Sequence, residues 1–526
     1  MPLISSIHLF DLDEIYFAEV TREMLNTGNY GQLQMGFTPF YEKPPLFFWL
    51  QALSMQFWGI NELGARFPNA IVGVFTLLTL YCIGKKYKDR IWGLLWALMY
   101  LSAFLPHFYF KSGIIDPVFN YFIFLGIVCI TLMVDNQYGL KQLPLAAFGG
   151  FWVGLAILTK GPVGLLIPLL TFLVYWVGWQ RNYPIPWLSC ALFLAVSLFV
   201  PFCWCGSELY QHGHLFFKEF CNYQISLFSA AVPEHAQPFY YHFWVLLIGC
   251  FPVSILAIAR GRQQQLENIP LSKMMLSLLG VVVVLFTMVE TKIVHYTSIA
   301  YFPITFLAAD CLYKLLFRLV PLRKWLCISW LFMGIFIAFF LVVLPLSFLY
   351  KDILNLFISD DLVRAALTLP VNWSWNHCCL GGGYSFALVL AYFLLKRRKI
   401  IGFALCCSIS TTLCLSSFII LIAPKIERYS QGPLITFCKE LRGKSVYLTT
   451  IGFKSCAPLF YAVQSSDSGV FFSNPEWLLV GKIDRPAFFI LKTTDMAIIE
   501  GYGDIELIKE EGCFAFYKRD PALAKE

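Results

Sequence analysis

The chain has 526 residues, of which 58% are hydrophobic, 17% aromatic and only 13% charged, and its formal net charge is +7. Soluble domains carry about 25% charged residues, so this composition excludes an ordinary soluble enzyme or binding module and predicts a polytopic membrane protein. The basic residues lie mostly in short loops between apolar segments. The net charge therefore does not call for a nucleic acid partner.

Apolar runs long enough to cross a hydrocarbon layer of about 30 Å recur along the chain. We predict about twelve spanning helices, because a backbone in lipid must satisfy its hydrogen bonds internally. Their approximate bounds are 67–84, 92–108, 117–134, 143–158, 162–179, 185–205, 240–258, 271–289, 294–316, 324–349, 381–396 and 400–422.

Basic residues are concentrated in alternate loops, which predicts the orientation in the membrane. These loops carry Lys85, Lys86, Lys88 and Arg90, then Arg260, Lys314 and Arg318, and later Lys396 to Lys399. Short loops rich in Lys and Arg stay in the cytoplasm, so the opposite loops and both termini are predicted to face outward. An outward N-terminus with only ten residues before Asp11 leads us to expect a missing upstream helix or a misassigned start, and the alternative is a short translocated tail.

Three regions follow from these patterns. Residues 1–66 form interfacial helices that carry an active-site loop, residues 67–422 form the multi-span region, and residues 423–526 form a small outward α/β domain. The last region contains short β-rich runs broken by Gly, Pro and Asp, at 445–450, 476–480, 487–491 and 513–517.

Two polar motifs precede the first long apolar run. Asp11 stands three residues before Glu14, a spacing typical of a capping box that opens a helix, and Gly28 is placed to close that helix. The alternative is that these acids only complement the helix dipole. In the second motif, Glu42 and Lys43 precede a Pro-Pro pair that can start a helix, which holds a charge pair at headgroup depth.

Further polar residues accompany the predicted outward ends of the spans: Lys111, Asp116, Lys160, Glu290, Lys292, His295 and Tyr296. A lone lysine at a helix end often only reaches toward the headgroups, but ionisable groups at membrane depth are costly and often functional. Lysines suit a lipid-phosphate sugar donor, because they neutralise charge on the departing phosphate, and a carboxylate can position or deprotonate the acceptor. No nucleotide fold is required.

Five motifs occur in order along the chain: Asp13-Glu14-x-x-x-Ala18-Glu19-x-x-Arg22-Glu23, Glu42-Lys43-Pro44-Pro45, Ala65-Arg66-Phe67-Pro68, Thr159-Lys160-Gly161-Pro162 and Lys292-x-x-x-Tyr296. Together they resemble the bacterial aminoarabinose lipid A transferases and the related protein mannosyltransferases, which are integral-membrane type C glycosyltransferases. The resemblance implies an undecaprenyl-phosphate sugar donor, a lipid A or similar envelope acceptor, and catalysis on the periplasmic side of the bacterial inner membrane.

By position, the resemblance implies roles for individual residues. Asp13 and Asp116 are the catalytic carboxylates, with Glu14 and Lys160 as secondary candidates, and Lys43, Lys292 and Tyr296 grip the donor phosphate. A zinc-like divalent metal maps to Glu42 and His235, with His212, His214 and His242 as competing positions for the histidine. Two ligands make an incomplete zinc shell.

One departure from the aminoarabinose transferases concerns the donor. These enzymes usually carry Arg-Tyr directly after the Asp-Glu-x of the first loop, where this chain has Tyr16-Phe17. Aminoarabinose, a neutral hexose and another polyprenyl-linked sugar therefore all stay open. Two alternative functions are a protein O-mannosyltransferase-like enzyme and, from a different class, a lipid or sugar transporter. A transporter favours paired repeats and broken helices at mid-membrane.

Overall fold

The computed structural model describes residues 2–135, 142–180, 187–229, 237–261, 269–462 and 475–521. Within these ranges, ten helices are long and apolar enough to cross a membrane, or eleven if the bent pair Tyr241–Gly249 and Val253–Arg260 counts as one span. Every predicted apolar run overlaps a helix. The predicted α-helical polytopic fold with a small C-terminal α/β region is confirmed.

The first region contains α1 (Asp13–Thr27), a short hairpin of β1 (Gln34–Met35) and β2 (Thr38–Pro39), and α2 (Leu46–Trp58). The helices that follow are α3 (Glu62–Tyr87), α4 (Arg90–Ser102), α5 (Phe104–Tyr109), α6 (Asp116–Asp135), α7 (Gln142–Lys160), α8 (Val163–Tyr175), α9 (Trp187–His212), α10 (Leu215–Ser229), α11 (Tyr241–Gly249), α12 (Val253–Gly261) and α13 (Pro270–Met288). Next come α14 (Tyr301–Leu316), α15 (Lys324–Leu349), α16 (Lys351–Asn355), α17 (Asp361–Leu367), α18 (Cys379–Lys396), α19 (Ile400–Ser417), α20 (Ala423–Tyr429) and α21 (Gly432–Leu441).

Two predicted spans are broken, and the two breaks contact each other. The run at 92–108 divides at Ala103 into α4 and α5, and the run at 240–258 bends by 111° between α11 and α12. The backbone N–H of Phe104 donates to the Phe251 carbonyl at 3.2 Å. Irregular backbone inside a helical bundle is tolerated where neighbouring elements satisfy the released polar groups, and this hydrogen bond does so.

Three basic residues from the loops and helix ends that were predicted to share one side contact the same acid. Asp310 on α14 accepts from Lys88 at 2.8 Å, contacts Arg260, and lies 3.5 Å from Lys314. A buried carboxylate in a helical bundle is costly unless it is paired, so this cluster ties together the ends of α3, α12 and α14.

The capping box predicted at Asp11 does not form. Helix α1 begins at Asp13 after Leu12, whose side chain makes no capping bond, and Glu14 instead bonds Arg66. The predicted end of the helix is confirmed: Gly28 adopts φ 68° and its N–H donates to the Met24 carbonyl. A left-handed residue after the last turn is the conformation that glycine adopts without steric cost.

The C-terminal region contains β3 (Tyr447–Thr450), α22 (Ala457–Tyr461), α23 (Pro475–Val480), β4 (Ala487–Lys492), β5 (Ile505–Glu511) and β6 (Phe514–Arg519). The sheet order is β3-β4-β6-β5, with β3 parallel to β4 and the other pairs antiparallel, in register Tyr447↔Ala487 and Phe489↔Tyr517.

One of the strand predictions in this region was wrong, and one strand was not predicted. Residues 476–480 are helical, because Pro475 occupies the first turn, where a missing N–H costs nothing, and leucines propagate the helix well. Strand β5 was missed because its charged, largely exposed sequence lacks alternation, a composition typical of edge strands.

The C-terminal region packs against α1. Ile15 and Ala18 on α1 share an apolar core with Leu434, Ile435 and Phe460. Helix α1 is therefore clamped on one side by protein rather than lying free at an interface, and this packing sets the direction in which its first residue, Asp13, points.

Candidate active site

A cavity of about 190 Å³ lies where α1, α6 and α7 meet the segments around Lys43 and His295. It is lined by charged and hydroxyl-bearing side chains on an apolar wall, and the charged and polar lining residues are Asp13, Lys43, Asp116, Asn120, Lys160, Tyr223, His295 and Tyr296. Five of the predicted site residues, which are separated by up to 283 positions in the chain, thus face one space: Asp13, Lys43, Asp116, Lys160 and Tyr296.

Asp116 and Lys160 form an ion pair at the cavity wall. Lys160 Nζ donates to Asp116 Oδ1 at 2.6 Å, and the Asp116 side chain is only 4% exposed. Asp116 is the first residue of α6 and Lys160 the last of α7, so each charge complements the dipole of its own helix. The ammonium also lies 5.6 Å from the centre of the Tyr296 ring.

Asp13 is the most accessible acid of the cavity. Its side chain is 53% exposed, and its Oδ2 lies 3.9 Å from His295 Nδ1. The preceding residue, Leu12, has φ 75° and ψ −98°, a backbone conformation that a branched residue adopts only when the surroundings impose it. Helix α1 therefore presents Asp13 to the cavity from a constrained turn.

Lys43 lies beneath α10. Its Nζ donates to the Tyr223 hydroxyl at 3.1 Å and lies 4.7 Å from the centre of that ring. Burial and then the charge of Lys160 lower the pKa of Lys43 to about 8, against the acids Glu42, Asp13 and Asp116, which raise it. A partly neutral lysine in a confined site gains charge when an anion binds beside it.

Lys292, the other lysine predicted to grip phosphate, does not line the cavity. Its Nζ donates to the carbonyls of Val289 and Glu290, at 2.9 and 3.4 Å, and its side chain is buried, whereas the neighbouring Val289 and Ile293 line the cavity. The ammonium stays outside the cavity because it bonds these nearby carbonyls. The Lys-x-x-x-Tyr spacing in the sequence gives no sign of those bonds.

Glu14 is occupied by a structural network rather than by the cavity. It receives two hydrogen bonds from Arg66, at 3.1 and 2.6 Å, and one from the Phe10 N–H at 2.9 Å. Arg66 also donates to the carbonyls of Ile4, Ile7 and His8. Glu14 of the first motif and Arg66 of the third motif therefore bind each other, and together they hold the N-terminal segment against α3.

Glu42 is the metal ligand predicted from the resemblance, and its described partners are tyrosines. The Tyr16 hydroxyl donates to Glu42 Oε1 at 3.3 Å, and Tyr223 also hydrogen-bonds this carboxylate. Burial raises the pKa of both Tyr16 and Tyr223, which keeps the two phenols as protonated donors. The carboxylate is thus engaged by neutral donors on two sides.

The histidine of the predicted metal site, His235, lies outside the described residues. Of its competitors, His212 is 3.2 Å from Glu208, and His242 is buried beside Phe286. In the part of the chain that the structure describes, no three His, Cys, Asp or Glu side chains form a group that could hold a metal ion. The described residues therefore do not fit a complete metal shell.

Three polar residues of the cavity were not among the predicted site residues: Asn120, Tyr223 and His295. His295 stands next to Tyr296 within the recognised Lys-x-x-x-Tyr motif, so its position was a usable signal. Tyr223 comes from α10, a helix distant from every motif, and only the packing of α10 over Lys43 reveals it.

The fold and the cavity define a multi-pass helical membrane protein with a small α/β region packed against the helix that carries the cavity's exposed acid. A family model described as dolichyl-phosphate-mannose-protein mannosyltransferase matches residues 42–204, a range that contains Lys43, Asp116 and Lys160. The crystal structure of ArnT from Cupriavidus metallidurans bound to undecaprenyl phosphate aligns with 100% of this chain and 96% of that chain, with a TM-score of 0.75 and 16% sequence identity.

Similar proteins include two named undecaprenyl phosphate-alpha-4-amino-4-deoxy-L-arabinose arabinosyl transferase. The protein from Wigglesworthia glossinidia brevipalpis is 25% identical over 252 residues, which are 47% of this chain and 44% of that protein. The protein from Erwinia tasmaniensis is 25% identical over 264 residues, 49% of this chain and 48% of that protein. The chain spans about half the length of these curated relatives. The resemblance predicted from the five motifs is confirmed, and the fold is that of ArnT.

Proposed function

We propose that this protein is a glycosyltransferase that moves a sugar from a polyprenyl phosphate to lipid A or a similar envelope acceptor. One observation carries the proposal: two lysines and two carboxylates face a single cavity at the ends of membrane helices. Similarity to proteins named as arabinosyl transferases acting with undecaprenyl phosphate supports it. Charges of both signs in one confined cavity suit a reaction in which negative charge develops on one oxygen while another oxygen attacks.

The donor phosphate would lie between Lys43 and Lys160. Both ammonium groups border the cavity, and Tyr223 and Tyr296 lie next to them. Charge-assisted hydrogen bonds from lysine suit a phosphate diester, and they strengthen as the ester bond to the sugar breaks and the phosphate gains charge. For Lys292 to contribute, as the resemblance implies, its ammonium must leave the carbonyls of Val289 and Glu290.

The acceptor would approach Asp13, the exposed acid. If the acceptor is a hydroxyl, its oxygen forms a bond to the anomeric carbon, its proton goes to the Asp13 carboxylate, and the bond from that carbon to the phosphate oxygen breaks. The departing polyprenyl phosphate keeps the electron pair and stays with the lysines. If the acceptor is itself a phosphate, it is already anionic, and Asp13 only positions it.

Asp116 would act mainly through Lys160. Its carboxylate is buried and already bound to that ammonium, so it is poorly placed to take a proton from an incoming acceptor. Fixing a lysine in the orientation needed by the transition state is a contribution of positioning, which can carry several kcal/mol of a barrier.

We place the reaction on the periplasmic face of the bacterial inner membrane. Lys88, Arg260 and Lys314 gather on Asp310 at the C-terminal end of α3, whereas Asp116 begins α6 at the cavity. Basic loops remain cytoplasmic, so a cavity at the other end of the helices would open outward.

The test is reconstitution in nanodiscs with undecaprenyl-phosphate aminoarabinose and an undecaprenyl-phosphate hexose as separate donors. Lipid A and unfolded envelope proteins serve as acceptors, and products are identified by mass spectrometry. We expect transfer to lipid A that is lost in Lys43→Met and Asp13→Asn. The matched controls are the exposed Lys482→Met and Asp352→Asn, which should transfer normally.

Other outcomes separate the alternatives. Glycosylated protein with unmodified lipid A would indicate the protein mannosyltransferase-like function, for which the family model matched at residues 42–204 is named. Movement of intact donor across the bilayer without a glycosylated product would indicate a transporter and overturn the proposal.

A further inference from the structure

His295 stands between the two carboxylates of the cavity. Its Nδ1 lies 3.9 Å from Asp13 Oδ2, and its Nε2 lies 3.8 Å from Asp116 Oδ2. The two acids come from α1 and α6, which are about a hundred residues apart in the chain, so the imidazole links two elements at the point where they border the cavity.

The backbone of His295 is also fastened to α6. Ser298 Oγ donates to the His295 carbonyl, and Asn120 Nδ2 donates to Ser298 Oγ at 2.7 Å. Helix α6 therefore holds both sides of His295. Its Asn120 bonds Ser298, which bonds the His295 carbonyl, and its Asp116 faces the imidazole. These contacts restrain the position and the direction of the imidazole.

The charged groups facing His295 come from four elements. Asp13 and Asp116 lie on either side, Lys160 at the end of α7 and Lys43 before α2 supply positive charge, and the Tyr296 ring meets the imidazole edge-on at 5.4 Å. The acids differ in mobility, because Asp116 is 4% exposed and bound by Lys160, whereas Asp13 is 53% exposed. The imidazole thus has one fixed partner and one accessible partner.

We propose that His295 is the positioning residue of Asp13. With a proton on each ring nitrogen, His295 directs Nε2–H toward Asp116, which orients the ring, and Nδ1–H toward Asp13, which holds that carboxylate toward the acceptor. An imidazole with a carboxylate on one nitrogen presents the other nitrogen in a defined direction. At 3.8 and 3.9 Å the ring already lies against both carboxylates without substrate, and catalytic hydrogen bonds are often long in that state. The inference rests on the proposed transfer reaction, in which Asp13 meets the acceptor.

The variants are His295→Asn, His295→Gln and His295→Leu. An asparagine amide can replace the Nδ1–H that faces Asp13, a glutamine amide reaches the position of Nε2 that faces Asp116, and leucine replaces neither. We expect His295→Leu to lower kcat about 100-fold with little change in KM for the donor, and His295→Asn to retain more activity than His295→Gln.

A double-mutant cycle with Asp13→Asn tests whether His295 acts through Asp13. In the Asp13→Asn background, His295→Leu should cost less than about twofold more, because residues that act as a unit are not additive. A multiplicative loss in that background, or a loss confined to KM, would overturn the inference in favour of a general structural role.

A readout that needs no sugar donor separates this inference from the proposed function. The accessible Asp13 is labelled with a water-soluble carbodiimide at fixed pH and quantified by mass spectrometry, with exposed Asp484 in the same digest as the reference. Loss of the polar ring beside Asp13 should raise the labelling rate of Asp13 severalfold in His295→Leu, and His295→Asn should return that rate toward the wild-type value. Equal labelling in all variants refutes the positioning role, even if wild-type protein transfers sugar. Altered labelling without any transfer supports it while refuting the proposed function.

Discussion

Lys160 Nζ and Asp116 Oδ1 lie 2.6 Å apart at the cavity end of two packed membrane helices, where α6 begins and α7 ends. The last residue of α7 and the first of α6 thus join two helix termini and supply one cation and one anion to the same wall.

Breaking the pair should destabilise the fold, whereas removing both charges should not. Lys160→Met leaves a buried carboxylate without its ammonium, and we expect the free energy of unfolding to fall by about 3 kcal/mol. Lys160→Met/Asp116→Leu should recover most of this loss, because the uncompensated charge is gone. Thermal unfolding in one detergent, followed by tryptophan fluorescence, measures both. Neither variant should transfer sugar, and a double variant with normal activity would contradict the role given to Lys160.

Binding of undecaprenyl phosphate should weaken as the pH rises through about 8. The pKa of Lys43 is lowered to about 8 by burial and by Lys160, so the ammonium that attracts phosphate is lost above that pH. The phosphate is already about nine-tenths dianionic at pH 7, since its second pKa is about 6, so its own titration cannot lower the affinity at higher pH. Affinity measured by microscale thermophoresis from pH 7 to 9.5 should fall in wild type and in Lys482→Met but stay flat in Lys43→Met. A parallel fall in Lys43→Met would assign the titration to another group.

Protein stability should respond to Lys43 with the opposite sign. Its pKa in the folded state is below the ordinary value of 10.5, so the unfolded chain binds more protons between about pH 8 and pH 10.5. The contribution of Lys43 to the free energy of unfolding therefore rises with pH across that window. The free energy of unfolding should therefore rise more steeply with pH in wild type than in Lys43→Met between about pH 8 and pH 10.5. Equal slopes in the two proteins would refute the assignment.

Glu14 should prove necessary for the fold rather than for the reaction. Arg66→Leu leaves the buried Glu14 carboxylate without its main partner and releases the N-terminal carbonyls, and we expect a loss of about 3–5 kcal/mol. The milder Glu14→Gln should lower the melting temperature but leave kcat per folded molecule within about threefold of wild type. Activity normalised to the folded fraction decides this. A large loss of kcat in stable Glu14→Gln protein would return Glu14 to the list of catalytic candidates.

The contact between α7 and α9 should depend on small residues. A Cβ at Gly150 would clash with the Phe193 carbonyl oxygen, and one at Gly154 would lie 2.7 Å from Val200 Cβ. Gly150→Ala should therefore destabilise the protein by about 1–3 kcal/mol, because helix backbones that pack this closely cannot accept a methyl group. The control is Gly206→Ala on α9, where a Cβ meets nothing within 4 Å. Equal melting temperatures for the two variants would contradict the packing.

Hydropathy and motif order were sufficient to predict the class of protein. Crossing a membrane depends on a property summed over about 20 consecutive residues, so each apolar run could be recognised without its neighbours. Gly28 as a helix end and the strands near 447–450, 487–492 and 514–519 depend on local preferences and were also predicted correctly. The charged cavity residues Asp13, Lys43, Asp116 and Lys160 came from motif resemblance, and the tertiary structure brings them together.

The partner of each charged side chain was decided only by the tertiary structure. Glu14 and Asp13 are adjacent in the chain, yet one is buried against Arg66 and the other opens to the cavity, because successive residues of a helix point in different directions. Lys292 bonds carbonyls of its own turn, and His295 reaches two acids on distant helices. Ion pairing depends on distances of a few ångströms between elements far apart in sequence. The pattern of apolar residues along the chain does not predict those distances.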